Sequence, residues 1–297
     1  MTINWIALDW GTSRLRAFAM NGDGAVMDRR ASDDGMGGLE ADGFEPTLLS
    51  LIGDWLADAP PTFAAGMLGA RGGWVEAPYA SAPCAPLDPT LFSRAPAADP
   101  RLRVAIVHGV AQTSPPDVMR GEETQIAGFL SAHPSFDGAL CLPGTHSKWV
   151  RVSAGEIVGF RTFMTGEMFA LLANRSILSR SLDDGFDEGA FAEAAADGRS
   201  RPEQIASRLF SLRAEGLLTS PAPGMARARL SGWLIGMELA AAKGWWLGAD
   251  VALIGAPDIA ARYSAALAQE GVAAPVVNAE DASLAGLRVA KTLREAT

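Results

Sequence analysis

Cysteine is scarce in this chain: Cys84 and Cys141 are the two among 297 residues. They stand in no metal-like spacing, which excludes a thiolate metal centre and fits a reducing cytoplasm. Long hydrophobic runs are missing too. Stretches such as Val251-Ala252-Leu253-Ile254 fall far short of the roughly 20 apolar residues a membrane-crossing helix needs. No basic stretch followed by an apolar run opens the chain, so no signal peptide is expected. Positive charge is in deficit, with 25 Lys and Arg against 34 Asp and Glu and a net charge of −9. That leaves no electrostatic footprint for nucleic acid. An anionic ligand must therefore be held locally, by backbone NH groups and a few cations acting against the global field. Neither a P-loop nor a glycine-rich dinucleotide fingerprint follows the first strand. What remains is an ordinary globular composition, 48% hydrophobic and 20% charged, long enough for one large domain or two of about 150 residues.

Pattern reading predicts a strand over 3–9 with its partner at 14–20. Asn21-Gly22-Asp23-Gly24 is a hairpin-turn signal leading into a third strand at 25–30. Leu48, Leu49, Ile52, Trp55 and Leu56 are spaced for a helix over 46–57. Strands follow at 62–68 and 103–107, with a Pro/Ala-rich excursion over 80–100 between them. A helix over 122–132 closes the first half. His133-Pro134-Ser135 marks the expected boundary between domains 1–135 and 136–297. The second half opens alike, with strands at 138–142, 148–153 and 157–163. Helices are expected at 166–178, 187–196, 202–214 and 226–243, then strand 250–254, helix 258–270, strand 275–278 and helix 281–294. Strand–turn–strand thus recurs about 135 residues apart. Duplicated βββαβα-like α/β halves facing a cleft fit this order better than a doubly wound sheet.

Chemistry concentrates in the two turns. Asp9 ends the first strand, where ligand-binding residues gather in open α/β sheets. Gly11 then bares the backbone, and Thr12 and Ser13 offer hydroxyl donors. The mid-chain block Gly144-Thr145-His146-Ser147-Lys148 repeats the theme with a cation close by. Either block alone is also a plain hairpin, because Asp, Gly, Thr and Ser are common turn residues. Their recurrence at matched positions points to paired phosphate loops and a nucleotide-using enzyme.

The pairing resembles the phosphate motifs of the actin, heat-shock chaperone and sugar-kinase superfamily. The segments Leu8–Thr12, Gly66–Tyr79, Met119–Gln125, Pro143–Trp149 and Phe163–Glu167 carry a closer likeness: within that superfamily the chain is similar to the 2-dehydro-3-deoxygalactonokinase family. The Trp74–Tyr79 and Pro143–Lys148 runs are the most specific of these. Ala70 departs from the pattern, where serine is expected; a hydroxyl contact is lost and Arg71 stays in place. The resemblance implies a two-domain actin-like (ribonuclease H-like) fold. It also implies transfer of the ATP γ-phosphoryl group to the terminal hydroxyl of a six-carbon 2-keto-3-deoxy sugar acid, in a cleft between the domains.

Phosphoryl transfer needs positioned phosphates, a neutralising cation and a group that aligns the attacking hydroxyl. The turns Gly11–Ser13 and Gly144–Lys148 are the nucleotide candidates, and Asp9 is the candidate ligand for Mg2+. Glu122 and Glu123 open the helix ahead of the second turn. Adjacent helical residues point about 100° apart, so one of the pair can face the substrate; equally, both can compensate the helix dipole. Gly121-Glu122-Glu123 also resembles the exopolyphosphatase branch, which keeps a phosphohydrolase or a non-catalytic ATP-binding module open as alternatives. Arg71, in a glycine-rich loop, suits the substrate carboxylate. Trp74 is a stacking candidate, and Glu76 and Arg16 are further sugar-acid contacts. Gly255-Ala256 resembles the superfamily's adenosine loop. Gly232 and Gly236 suit close helix packing, and faces around Trp245-Trp246 are a candidate homodimer interface.

Overall fold

The computed structural model describes residues 2–296. Contacts group the chain into two units, the first comprising 1–136, 152–159 and 279–297, and the second 137–151 and 160–278.

The first unit grows from β1 (Trp5–Trp10), which pairs antiparallel with β2 (Leu15–Met20), itself antiparallel to β3 (Val26–Ser32). Helix α1 (Phe44–Ile52) then crosses to β4 (Pro61–Gly66), parallel to β1. Short strands β5 (Tyr79–Ser81) and β6 (Ser93–Arg94) precede β7 (Arg103–Ile106), which runs parallel to β4. The sheet order is β3-β2-β1-β4-β7-β6. A hairpin that pattern reading missed, β8 (Gly109–Thr113) and β9 (Pro116–Met119), joins β5 in a small separate sheet. Its strands are short and carry little alternation, so no period marks them. Helix α2 spans Glu122–Ala132, matching expectation. The predicted helix over 46–57 starts earlier and tightens into a 3₁₀ turn at Gly53–Leu56.

The second unit repeats the plan. Strands β10 (Gly138–Leu142), β11 (Ser147–Ser153) and β12 (Glu156–Phe163) are followed by α3 (Thr165–Arg175), α4 (Glu188–Ser200), α5 (Ile205–Leu218), α6 (Met225–Ala241) and the short α7 (Lys243–Trp246). Then come β13 (Val251–Gly255), α8 (Pro257–Ala268) and β14 (Val276–Asn278). The order β12-β11-β10-β13-β14 repeats the third-second-first-fourth order of the first sheet, with β14 in the place that β7 holds there. Cys141, Trp149 and Leu253 meet Phe191, Ile235, Leu239 and Tyr263 in the core. Gly232 and Gly236 let α6 press on α4: a Cβ at Gly236 would lie 2.2 Å from the Ala195 carbonyl oxygen. Trp246 is buried and donates from Nε1 to the Leu239 carbonyl, 2.8 Å, so it is a core residue rather than part of an exposed face.

The last helix, α9 (Ala279–Glu295), returns to the first unit, and this corrects the expected 136–297 domain. Both faces of the first sheet are apolar. Ile6, Leu8 and Trp10 alternate toward Phe44, Leu48 and Ile52 of α1. Trp5 and Ala7 point the other way, where Leu284, Leu287 and Ala290 of α9 cover them. Helices α2 and α9 approach at Gly128 and Gly286; a Cβ on Gly286 would stand 1.8 Å from the Thr124 carbonyl oxygen. Residues 152–159 also belong with the first unit, where Ile157 exchanges backbone hydrogen bonds with Cys84. Neither return leaves a local mark in sequence, because both depend on which distant surface needs covering.

Candidate active site

In the first unit, the carboxyl ends of β1 and β4 meet the start of α2. Trp10 lies opposite Gly66 in the sheet register. Gly66, at φ 100°, sits so tightly that a Cβ would be 2.6 Å from the Trp10 carbonyl oxygen. Gly121, at φ 104°, packs on Gly66, where a Cβ would be 3.3 Å from the Gly66 Cα. Both positions need glycine, for left-handed backbone and for proximity. Asp9, the Gly11 turn and Glu122-Glu123 are thereby brought to the carboxyl end of these two central strands.

The first turn is braced from behind. Gly11 N donates to Arg14 O at 2.8 Å, so this amide closes the turn and is not offered to a ligand. Met36 N and Gly37 N donate to Gly11 O and Thr12 O at 3.1 and 2.9 Å. Gly35 lies against the turn, where a Cβ would be 2.2 Å from Thr12 O. This bracing loop was not foreseen, although Gly35-Met36-Gly37-Gly38 is a readable cluster of small residues. Thr12 and Ser13 remain exposed.

Asp9 faces Arg16 directly across the β1–β2 pair, with Nη1···Oδ2 at 3.5 Å. Arg16 Nε also pairs with Glu280 Oε2 at 3.2 Å, and Arg29 reaches the same oxygen at 2.5 Å. Burial pushes the Asp9 carboxyl up, against the lowering pull of Arg16 and a Ser283 hydrogen bond; Glu280 raises it further. Glu280 and Ser283, from the start of α9, were missed because they lie some 270 residues from Asp9 in sequence. Arg16, expected as a substrate cation, is already engaged by two carboxylates.

The two glutamates at α2 differ. Glu122 is half-buried, and its Oε2 accepts from Arg120 N at 2.9 Å. Glu123 is fully enclosed and accepts from Gly121 N at 2.9 and 2.7 Å and from the Thr124 hydroxyl at 2.9 Å. Burial, aided by the neighbouring Glu122 charge, lifts its pKa from 4.5 to about 7.

Around the glycine-rich loop, Arg71 and Glu76 are exposed. Trp74 is not. It stacks on Phe44 with centroids 6.2 Å apart and planes 10° apart, edge-on to Trp10 at 6.5 Å, and is 6% exposed. Its expected stacking role gives way to the core, since Phe44 occupies its face. Arg120 holds this loop to α2, donating from Nη2 to Ala77 O at 2.7 Å with its guanidinium 4.3 Å from the Tyr79 ring centroid.

In the second unit, the ends of the parallel neighbours β10 and β13 place Gly144 and Gly255 on adjacent turns; a Cβ on Gly255 would lie 3.0 Å from Pro143 Cγ. Ala256 is exposed just before Pro257 opens α8. Gly144, Thr145 and His146 are exposed. The start of α3 backs them: Glu167 N donates to Thr145 O at 2.9 Å, a Cβ on Gly166 would be 2.2 Å from Gly144 O, and His146 Nε2 lies 2.7 Å from Glu167 Oε2. Ser147 and Lys148, expected at phosphate, turn inward, at 1% and 5% exposure. The Ser147 hydroxyl instead meets the Tyr263 hydroxyl at 2.9 Å. Among the described residues, no group of three or more His, Cys, Asp or Glu side chains is arranged to hold a metal ion, and no helix is long and apolar enough to cross a membrane.

Two units that share a sheet order, each with a small-residue turn at its strand ends, have the actin-like ATPase fold. The activator of 2-hydroxyisocaproyl-CoA dehydratase from Clostridium difficile shares this fold, at a TM-score of 0.55 and 12% identity over 98% of this chain and 96% of that one. Residues 9–290 match the 2-keto-3-deoxy-galactonokinase family, and the chain belongs to it. The 2-dehydro-3-deoxygalactonokinase of Escherichia coli strain K12 is 32% identical, with 97% of each chain covered. The crystal structure of a candidate 2-dehydro-3-deoxygalactonokinase from Sinorhizobium meliloti is 40% identical with a TM-score of 0.89, covering 97% of this chain and 95% of that one.

Proposed function

We propose that the protein is an ATP-dependent kinase that phosphorylates the terminal hydroxyl of 2-dehydro-3-deoxy-D-galactonate, giving the 6-phosphate and ADP in galactonate breakdown. The observation that carries the reading is family membership across 9–290, joined to the convergence of Asp9, Gly66, Gly121 and Glu122 at the carboxyl end of β1 and β4. Neither the phosphohydrolase nor the non-catalytic alternative has support, since the relatives matched along nearly the whole chain are kinases by name.

The exposed Thr12 and Ser13 hydroxyls in the first unit, and the Gly144–His146 turn in the second, are the groups able to receive phosphate oxygens. Gly255 and Ala256 offer small residues for a purine. Asp9 contributes a single carboxylate, which suits Mg2+: that ion keeps several waters and takes one or two carboxylates plus substrate phosphates. When bound it would neutralise charge on the phosphates. Arg71, exposed beside Gly72 and Gly73, is the cation for the substrate carboxylate, and Glu76, exposed on the same loop, is the acceptor for its hydroxyls. Glu122 aligns the attacking hydroxyl, because Glu123 is sealed from solvent and spends its oxygens on the helix cap. Consumption of ATP and a small sugar acid suits the cytoplasm. A homodimer seated on Trp245-Trp246 loses its main apolar anchor with Trp246 buried.

The test is a coupled assay of ATP-dependent phosphorylation across C5 and C6 2-keto-3-deoxy acids. The galacto acid is expected to give the highest kcat/KM, and ATP turnover indifferent to every sugar acid would remove the assignment.

A further inference from the structure

Glu238 is a carboxylate set in the apolar run Leu234–Leu239 of α6, 3% exposed and used by none of the steps above. Every donor around it comes from the second phosphate turn or its supports. Trp149 Nε1 donates to Oε1 at 2.8 Å, and the Tyr263 hydroxyl donates to Oε2 at 2.6 Å. The Thr165 side chain hydrogen-bonds to the same carboxylate, and Ser147 is linked to it through Tyr263. Tyr263 in turn contacts Ser147 Oγ at 2.9 Å. Ser147 ends the exposed Gly144–His146 turn, whereas Thr165 opens α3, the helix whose Gly166 and Glu167 press on Gly144 and Thr145. The carboxylate therefore ties both sides of the turn to one buried point. A lone buried acid that accepts this many hydrogen bonds is costly to leave half-satisfied and sets geometry accordingly.

We propose that Glu238, acting through Tyr263, Ser147 and Thr165, is the positioning residue of the nucleotide's second phosphate turn. The role rests on the kinase reading above. Ser147 is then an internal brace, and phosphate is met by the outer residues Gly144, Thr145 and His146. Neither Glu238 nor Tyr263, both buried, touches substrate.

Steady-state kinetics on Tyr263→Phe, Ser147→Ala and Glu238→Gln, each varied in ATP and in sugar acid, test it. Tyr263→Phe removes the relay yet keeps ring and carboxylate, so it stays informative if Glu238→Gln fails to fold. The expected result for Tyr263→Phe is an ATP KM raised about tenfold, an unchanged sugar-acid KM and a lowered Tm, because a buried carboxylate loses a donor. Tyr263→Phe/Ser147→Ala should be no worse than the poorer single variant, as for residues acting in one chain. Amides of 144–148 should exchange faster in Tyr263→Phe. Turnover by the wild type with an unshifted ATP KM in these variants, or equal shifts for both substrates, overturns the positioning role alone. A wild type that phosphorylates no sugar acid removes the kinase reading and this role together.

Discussion

Glu123 and Glu122 stand side by side on one helix turn but in opposite environments. Folding lifts the Glu123 pKa from 4.5 to about 7. The folded chain therefore holds this proton where the unfolded chain has released it. Stability from this group is full below pH 4.5 and is lost as pH rises through about 7, a drop of order 3 kcal/mol at 1.4 kcal/mol per pH unit. Glu123→Gln cannot ionise, so its Tm should vary less with pH between 5 and 7.5 than the wild type's; parallel Tm profiles would refute the enclosed-acid account. Glu122→Gln is expected to lower kcat by roughly 100-fold or more with little change in Tm, and a kcat within a factor of two of wild type would end its role in aligning the hydroxyl. Arg71→Ala should raise the sugar-acid KM by about tenfold or more, the scale of a lost charged hydrogen bond, and leave the ATP KM near its original value. Equal changes in both would mean that the substrate carboxylate is held elsewhere.

Helices in each unit approach through glycine. Gly232 and Gly236 admit α4 against α6, and Gly128 and Gly286 admit α2 against α9. Pattern reading flagged the first pair by its spacing of four; Gly128 and Gly286 lie on different helices and leave no such local signature. Gly236→Ala would force a methyl to within 2.2 Å of a backbone oxygen, which cannot swing aside as a side chain can. A loss of about 1–3 kcal/mol is expected, the usual range for overpacking, read as a lower denaturant midpoint at unchanged m-value. The helical propensity gained by replacing glycine, about 1 kcal/mol, is too small to reverse that sign. Element by element, helical spacing and continuous apolar runs were legible: α2 and the five-residue β10 match their predicted ranges. The β8–β9 hairpin escaped notice because strands of five and four residues offer too little alternation to register.

At the scale of the whole molecule, the C-terminal helix completes the N-terminal unit. Expressed as 1–136 alone, that unit would leave Trp5, Ala7, Phe18, Met20 and Phe63 without the Leu284 and Leu287 that cover them. Such a fragment is expected to show no cooperative thermal transition, and a sharp melt would contradict the packing account. By itself the sequence determined the α/β repeat, the two small-residue turns and the family likeness, because strand alternation, helical spacing and turn chemistry are all written within a few neighbouring residues. Only tertiary structure decided which polar groups are free to act. It buried Trp74 against Phe44, turned Ser147 toward Tyr263, and brought Glu280 to Arg16. Local periodicity reports that a face is covered; it carries no record of which distant side chain covers it.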